Sequence, residues 1–311
     1  MRRPNTSVPF KAAMALLGTL ALVATACGSS SKSSTSSAAS APAITIGAQD
    51  FGESAILAQI YKQGLEDKGY KVDVQKLGGF RDLEVTAFDK KTINFAPEYA
   101  ASMLEFLNGK KGEASGDVDA TVTKLQTYLA PKGLVATDAS KAVDTNAFVV
   151  TKATADKYGL KSLSDLASKG QSLTLGGPAD CATNAFCIPG LKSKYGLDLS
   201  AKFKSLETGQ VAPALDAGQI DVALLFSTDS TIKTKNYVLL TDDKSMLAAD
   251  NVVPVVTTDL GSNADLAKAI NAISATLTTQ KLIDMNERYD VQKDDEAVIA
   301  KDYLTSEHLI G

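Results

Sequence analysis

The feature that most constrains this chain is an alternation of short apolar strands with amphipathic helices, broken by two extended crossings. Residues 43–47 (AITIG) read as a strand. Residues 53–68 then carry Ile56, Leu57, Ile60, Tyr61 and Leu65 at helical spacing, closed by Gly69. Residues 70–77 alternate Tyr70, Val72, Val74 and Leu77 with charged residues, with one slip of register, as a strand would. The glycine turn at 78–80 leads to a second helix at 81–89. Repeated strand–helix–strand units give a mostly parallel sheet, so the fold class is α/β.

Further along, 118–129 is helical, Ser162 followed three residues later by Asp165 starts a short helix, and 173–176 is a strand. Residues 211–217 form a helix stopped by Gly218, and 220–226 (IDVALLF) is an apolar strand ending in the polar residues 227–230. From 263 onward the chain is helical. The extended segments 145–150 and 252–256 bracket a middle region of about 100 residues with its own βα pattern. The chain is therefore expected to cross to a second lobe and return: residues 43–145 plus 255–311 form lobe 1, residues 146–254 form lobe 2, and a ligand cleft lies between them at a two-strand hinge. Pro254 within 252–256 (VVPVV) suits an edge or crossing segment better than a central strand, because proline has no N–H for a ladder bond.

At the centre of lobe 1 is the stretch 91–107. Residues 92–96 are expected as a buried strand that Pro97 cannot extend, and 99–108 have helical spacing. Tyr99 thus stands where a strand ends and a helix begins. Carboxyl ends of strands line the ligand crevice of an open α/β sheet, so its ring either faces the ligand or packs half-buried beside it.

The N-terminus has the outline of an export signal. Arg2, Arg3 and Lys11 precede the short apolar run 12–24, and Ala24-Thr25-Ala26-Cys27 has the small residues of a lipoprotein cleavage site. Either Cys27 is lipidated, or the protein is simply secreted with Cys27 free. Loss of the three basic residues of the signal, 1–26, takes the formal charge from −4 to −7. The serine-rich residues 28–41, within the 27–42 segment, are expected to tether the domain flexibly. A lipoprotein cysteine carries several acyl chains, enough to hold a soluble domain at the cell membrane. Cys181 and Cys187, separated by five residues in a loop bounded by glycine and proline, either close a disulfide or belong to a zinc site that would need two more ligands. The lone His308 is expected at the surface.

Several chemistries lack support. With one histidine near the C-terminus, no Ser-His-Asp or Cys-His constellation can be assembled. Neither GxGxxG after a strand nor GxxxxGK[ST] is present, so no nucleotide cofactor is expected, and no metal. An acidic chain with pI near 5.2 offers no basic face for nucleic acid.

From 44 to 304 the chain resembles the substrate-binding lipoproteins of ABC importers for osmoprotectants such as glycine betaine, choline and carnitine. The matching words are Phe51-Gly52-Glu53, Pro97-Glu98-Tyr99, Asp144-Thr145, Thr228-Asp229, Asp242-Asp243-Lys244 and Val253-Pro254-Val255-Val256. The resemblance implies the two-lobed, type II periplasmic-binding-protein fold. It also implies a cage of tyrosines around a quaternary ammonium, which has no N–H to donate and is best met by aromatic faces. The cage positions correspond here to Tyr99, Asn146, Phe226 and Asp250, so only two aromatics remain. Ser102 stands where a threonine is usual, and Asn184 where an arginine often meets the ligand's carboxylate. Losing two walls could remove roughly 1 to 4 kcal/mol of cation binding if each desolvated contact is worth 0.5 to 2. Asp250 offers negative charge in return, and Phe51 and Phe80, on the first two glycine-flanked turns, are replacement walls or lobe core. Asp144 and Thr228 complete the expected ligand-binding set. The reading is a monomeric, lipid-anchored solute receptor, not an enzyme, that delivers a small polar or quaternary ammonium solute to its permease. The alternatives are a receptor for another polar metabolite, a secreted enzyme on the same fold, and a lipoprotein with a vestigial cleft.

Overall fold

The computed structural model describes residues 42–311. The expected signal segment 1–26, Cys27 and the serine-rich stretch lie outside the described residues. No helix among the described residues is long and apolar enough to cross a membrane.

Among the described residues, ten strands form two sheets. In chain order they are β1 (Ile44–Ala48), β2 (Val72–Lys76), β3 (Phe95–Tyr99), β4 (Leu134–Ala136), β5 (Asn146–Val150), β6 (Leu175–Gly177), β7 (Phe203–Ser205), β8 (Val222–Phe226), β9 (Val238–Leu239) and β10 (Val252–Thr257). The first sheet has the order β2-β1-β3-β10-β4, and the second β7-β6-β8-β5-β9. In each sheet the strand that arrives from the other lobe runs against its neighbours: β10 is antiparallel to β3 and β4, and β5 to β8 and β9. The remaining pairs, β1 with β2 and β3, and β6 with β7 and β8, are parallel.

Both sheets are covered on both faces, which explains strands that read as continuous apolar runs. Along β10, Val252 and Val256 pack with Ile44, Ile46 and Phe95 on one face, while Val253 and Val255 join Ala96, Met103 and Leu104 on the other. In the second sheet Phe148 and Val150 face one core, and Ala147 and Val149 the other. Helix α1 (Gly52–Asp67) lies over the first sheet and packs against the C-terminal helices Ala264–Ser274, Thr279–Glu287 and Glu296–Ser306. Tyr61 and Ser274 share a buried hydroxyl hydrogen bond of 2.8 Å there. The other helices bearing on the site are α2 (Arg81–Asp89), α3 (Ala100–Leu107) and α4 (Val118–Leu129).

Two expectations about proline need correction. Strand β3 does not stop before Pro97 but starts at Phe95 and runs through it to Tyr99, and β10 is an inner strand paired on both sides. The register explains how: Pro97 lies directly opposite Pro254. The Pro254 carbonyl accepts from Thr137 N at 2.9 Å on the β4 side, so its ring nitrogen also points away from β3. The two prolines therefore form a non-hydrogen-bonded pair, in which no β3–β10 ladder bond needs either N–H. Val252 to Val256 of β10 pair with Tyr99 to Phe95 of β3.

Other local signals hold. Ser162 and Asp165 form a reciprocal capping box, and Cys181 and Cys187 are joined as a disulfide with both residues buried. Gly64 sits where α1 packs tightly on the C-terminal helices, since a Cβ there would lie 2.7 Å from Ile273 Cδ1. Gly64→Val should lower stability by about 1–3 kcal/mol through overpacking. Gly209→Ala, on an exposed first turn with open space around it, should be neutral or stabilise by up to about 1 kcal/mol. Urea unfolding midpoints at constant m-value check both.

Candidate functional site

The site is assembled where the two crossing segments pass between the lobes. Antiparallel entry of β10 and β5 sets the amino end of each against the carboxyl end of a parallel strand, so Val252 faces Tyr99 and Asn146 faces Phe226. The crossings also pair with each other: Asp144 N donates to Asp250 O at 3.0 Å, and Val143 bridges Asn251. Tyr99, Asp144, Thr228 and Asp250 are thus linked through the crossing segments.

Tyr99 stands at the strand–helix junction, extended at φ −119° and ψ 124°, as the residue before α3. It is buried, and its ring centroid lies 6.2 Å from that of half-buried Phe51. The Tyr99 hydroxyl donates to Glu53 Oε1 at 2.6 Å, and Asn286 Nδ2 donates to Glu53 Oε2 at 2.6 Å. Asn286 Nδ2 also donates to the Thr228 carbonyl at 3.1 Å, and Thr228 Oγ1 donates to Asp144 Oδ1 at 2.9 Å. One chain of hydrogen bonds therefore runs from the aromatic pair in lobe 1 to the end of β8 in lobe 2.

Asp250, at an expected cage position, holds the start of α3. Tyr99 makes no side-chain cap to α3, and Asp250 supplies the cap from the returning crossing. Its Oδ1 accepts from Ala101 N at 2.8 Å and Ser102 N at 3.0 Å, and its Oδ2 accepts from Ser102 Oγ at 2.5 Å. A carboxylate at a helix N-terminus is favoured by the unpaired N–H groups and the helix dipole.

The site is strongly acidic. Glu53, Glu84, Glu98, Asp144 and Asp250 are all buried. Burial raises the carboxyl of Glu53, and it raises those of Asp144 and Glu84 well above the usual range, with Glu53 adding to the effect at Asp144 and Glu98 at Glu84. Burial pushes Asp250 up to about 6 against the bonds from Ser102. The Tyr99 hydroxyl is likewise raised by burial and by the nearby Glu53. Among the described residues, the one ion pair to these five acids is Arg81 with Glu98, at 2.7 Å.

The remaining expected residues are spread around the rim. Phe226 is 38% exposed at the lobe 2 edge, and Phe80 is 56% exposed on the turn before α2. Asn146 is half-buried and donates Nδ2 to the Phe186 carbonyl at 3.1 Å. Asn184 turns into its own loop, where Oδ1 accepts from Phe186 N at 2.9 Å and Nδ2 donates to Asp180 Oδ2 at 3.3 Å. That loop meets lobe 1 through Lys110 Nζ, which donates to Thr183 Oγ1 at 2.7 Å.

Sequence reasoning missed Glu53, Asn286, Phe186 and Tyr289. Tyr289 packs its ring over Gly52, where a Cβ would lie 2.5 Å away. Glu53 stood in a matching word but counted only as the start of α1. Asn286 is 233 residues from its partner, and no local pattern links the two.

Comparison with known proteins places this geometry. Residues 42–306 match the family described as the substrate binding domain of ABC-type glycine betaine transport systems. The carnitine transport binding protein OpuCC of Listeria monocytogenes is 26% identical over 276 residues, which cover 84% of this chain and 85% of that protein. A glycine-betaine-binding protein of Pseudomonas aeruginosa is 24% identical over 283 residues, 88% of this chain and 90% of that one. A crystal structure of a glycine betaine/carnitine/choline ABC transporter protein superposes with a TM-score of 0.72 at 26% identity, over 86% of this chain and 99% of that one. The chain belongs to the substrate-binding domains of ABC-type glycine betaine transport systems, two-lobed extracytoplasmic receptors that present a solute to a permease and do not transform it.

Proposed function

We propose that the solute of this receptor is a small organic monocation of the quaternary ammonium type, with choline preferred over glycine betaine, held between the lobes against Phe51 and Tyr99. The observation that carries this reading is the pairing of the two rings with the buried carboxylate Glu53, bonded to the Tyr99 hydroxyl at 2.6 Å. A quaternary ammonium attracts ring faces and negative charge, and asks for no hydrogen bond. Asp144 extends the negative field toward lobe 2, and Ser102 and Thr228 hold Asp250 and Asp144 in place. A zwitterion would bring its own carboxylate toward these acids, with the Asn184 side chain already engaged in its loop. Phe226 and Phe80, exposed on the two rims, supply further walls when the lobes close. Asn146 and Phe186 line the lobe 2 side. We also infer that Cys27 is acylated after cleavage, and that a monomer works on its serine-rich tether beside the permease.

Calorimetry of the mature protein tests this. Choline should bind more tightly than glycine betaine, and Tyr99→Ala should weaken choline by roughly 2- to 30-fold, the worth of one desolvated cation–π contact. Glu53→Gln should weaken choline more than betaine. If neither solute raises the melting temperature while another class does, the quaternary ammonium assignment falls.

The raised acids also fix a pH dependence. Asp144, Glu53, Glu84 and Asp250 hold more protons in the folded than in the unfolded chain, so the stability they contribute is full below about pH 4 and is lost as pH rises through the folded values. For Asp250, whose carboxyl moves from 3.8 to about 6, the loss is on the order of 3 kcal/mol. The lowered acids Glu113 and Asp198 act below this window. The unliganded protein should melt higher at pH 5 than at pH 7.5, and Asp250→Asn should flatten that slope. Choline affinity should rise over the same interval, because a bound cation favours the ionised carboxylates. Thermal melts at fixed ionic strength check the slope.

A further inference from the structure

We infer that Glu98, with Arg81 and Gln49, is a positioning hub that sets the spacing of the three aromatic side chains on the lobe 1 rim and thereby the size of cation the site accepts. The inference rests on the reading of that rim as a ligand wall, and concerns residues that lie behind it.

Three turns leave the carboxyl ends of β1, β2 and β3, and each carries one aromatic residue: Phe51, Phe80 and Tyr99. Each turn also sends one polar group to a single carboxylate. Glu98 Oε1 accepts from Gln49 Nε2 at 2.9 Å and from Arg81 Nε at 2.7 Å. Glu98 Oε2 accepts from Arg81 Nη2 at 2.7 Å and from the Tyr99 backbone N–H at 2.8 Å. In sequence the hub groups sit beside the rings: Gln49 two residues before Phe51, Arg81 directly after Phe80, and Glu98 directly before Tyr99. A backbone bond from Asp50 N to Gly79 O, 2.9 Å, joins the first two turns independently.

Alternation along β3 puts Glu98 on the opposite face from Phe95 and Tyr99, so the hub acts through the backbone and not by touching the solute. Glu98 has no exposed surface, and with four donors both of its oxygens are saturated. A bidentate guanidinium–carboxylate pair fixes orientation as well as distance, which a lysine cannot reproduce. Simple reinforcement of lobe 1 would explain a buried ion pair. It would not explain why the three donating residues, Gln49, Arg81 and Tyr99, come one from each ring-bearing turn.

The test uses two variants that leave Glu98 in place. Gln49→Ala releases the Phe51 turn, and Glu84 Oε2 with it, while the ion pair stays intact, and Arg81→Lys keeps the charge but loses the fork. Affinities for tetramethylammonium and tetraethylammonium are measured by calorimetry, and aromatic NMR signals of ¹³C-labelled Phe and Tyr are recorded without ligand. Each variant should change the ratio of the two affinities by at least about 3-fold. Each should also shift the Phe51, Phe80 and Tyr99 signals together, leaving Tyr237 in lobe 2 unmoved. An unchanged ratio with a lowered melting temperature means a purely structural ion pair and overturns the inference, as do unmoved ring signals. If the wild type binds neither probe, the quaternary ammonium reading fails, and the ring signals alone decide for or against the hub.

Discussion

Two strands that enter their sheets in reverse set the character of this molecule. A parallel return would carry each crossing to the far end of the sheet, away from the strand ends where ligands bind. Antiparallel entry instead brings both crossings out at the carboxyl ends of β3 and β8, with Val252 against Tyr99 and Asn146 against Phe226. Hinge and site are therefore one place. Asp144 and Asp250 belong to both, since the main chains of these residues join the crossings and their side chains reach Thr228 and α3. A change in the lobe angle must move groups that hold the site, which gives closure a direct mechanical route to the ligand.

The same packing buries acids that water would otherwise solvate. Removing a carboxylate from water costs several kcal/mol unless bonds replace the lost hydration. Glu98 is fully compensated by Arg81, Gln49 and a backbone N–H. Asp250 is compensated only in part, since three bonds from the first turn of α3 leave its carboxyl raised to about 6. Glu53 and Asp144 accept neutral donors and have no ion-pair partner among the described residues. Glu84 leaves Oε1 buried without a hydrogen bond. The unliganded site thus divides into a settled part around Glu98 that maintains geometry and a part whose carboxyls burial holds above their usual range, where a bound cation would favour ionisation.

Much of the architecture was legible in the chain because it is written locally. Periodicity found α2 and α4 at their observed bounds, and the Ser162–Asp165 box and the glycine stops needed only a few residues each. Proline misled for a physical reason: its missing N–H matters only in a hydrogen-bonded pair, and whether Pro97 faces a partner in that register depends on a strand 157 residues away in the sequence. The site was half legible. Strand-end positions such as Tyr99 and Thr228 follow from the βα pattern, whereas Asn286 reaches Glu53 only because the C-terminal helices pack on α1. Asp250 illustrates a third case, since its capping of α3 across the crossing requires both elements in place and no local pattern announces it.

On the proposed cation reading, the two cage positions that lack rings, Asn146 and Asp250, are offset by the charge of the buried acids. Two missing aromatic walls forgo roughly 1 to 4 kcal/mol. A carboxylate about 5 Å from a cation contributes on the order of 3 kcal/mol at an effective dielectric near 20, which is the same size. Glu53 adds a second effect, because a phenol that donates a hydrogen bond to a carboxylate carries more electron density in its ring and presents a more negative face. Charge, however, falls off slowly with distance and discriminates poorly by shape. A site that trades rings for carboxylates therefore keeps its attraction for cations but must draw its sense of size from the few rings that remain, and the spacing of those rings is held from behind by Glu98.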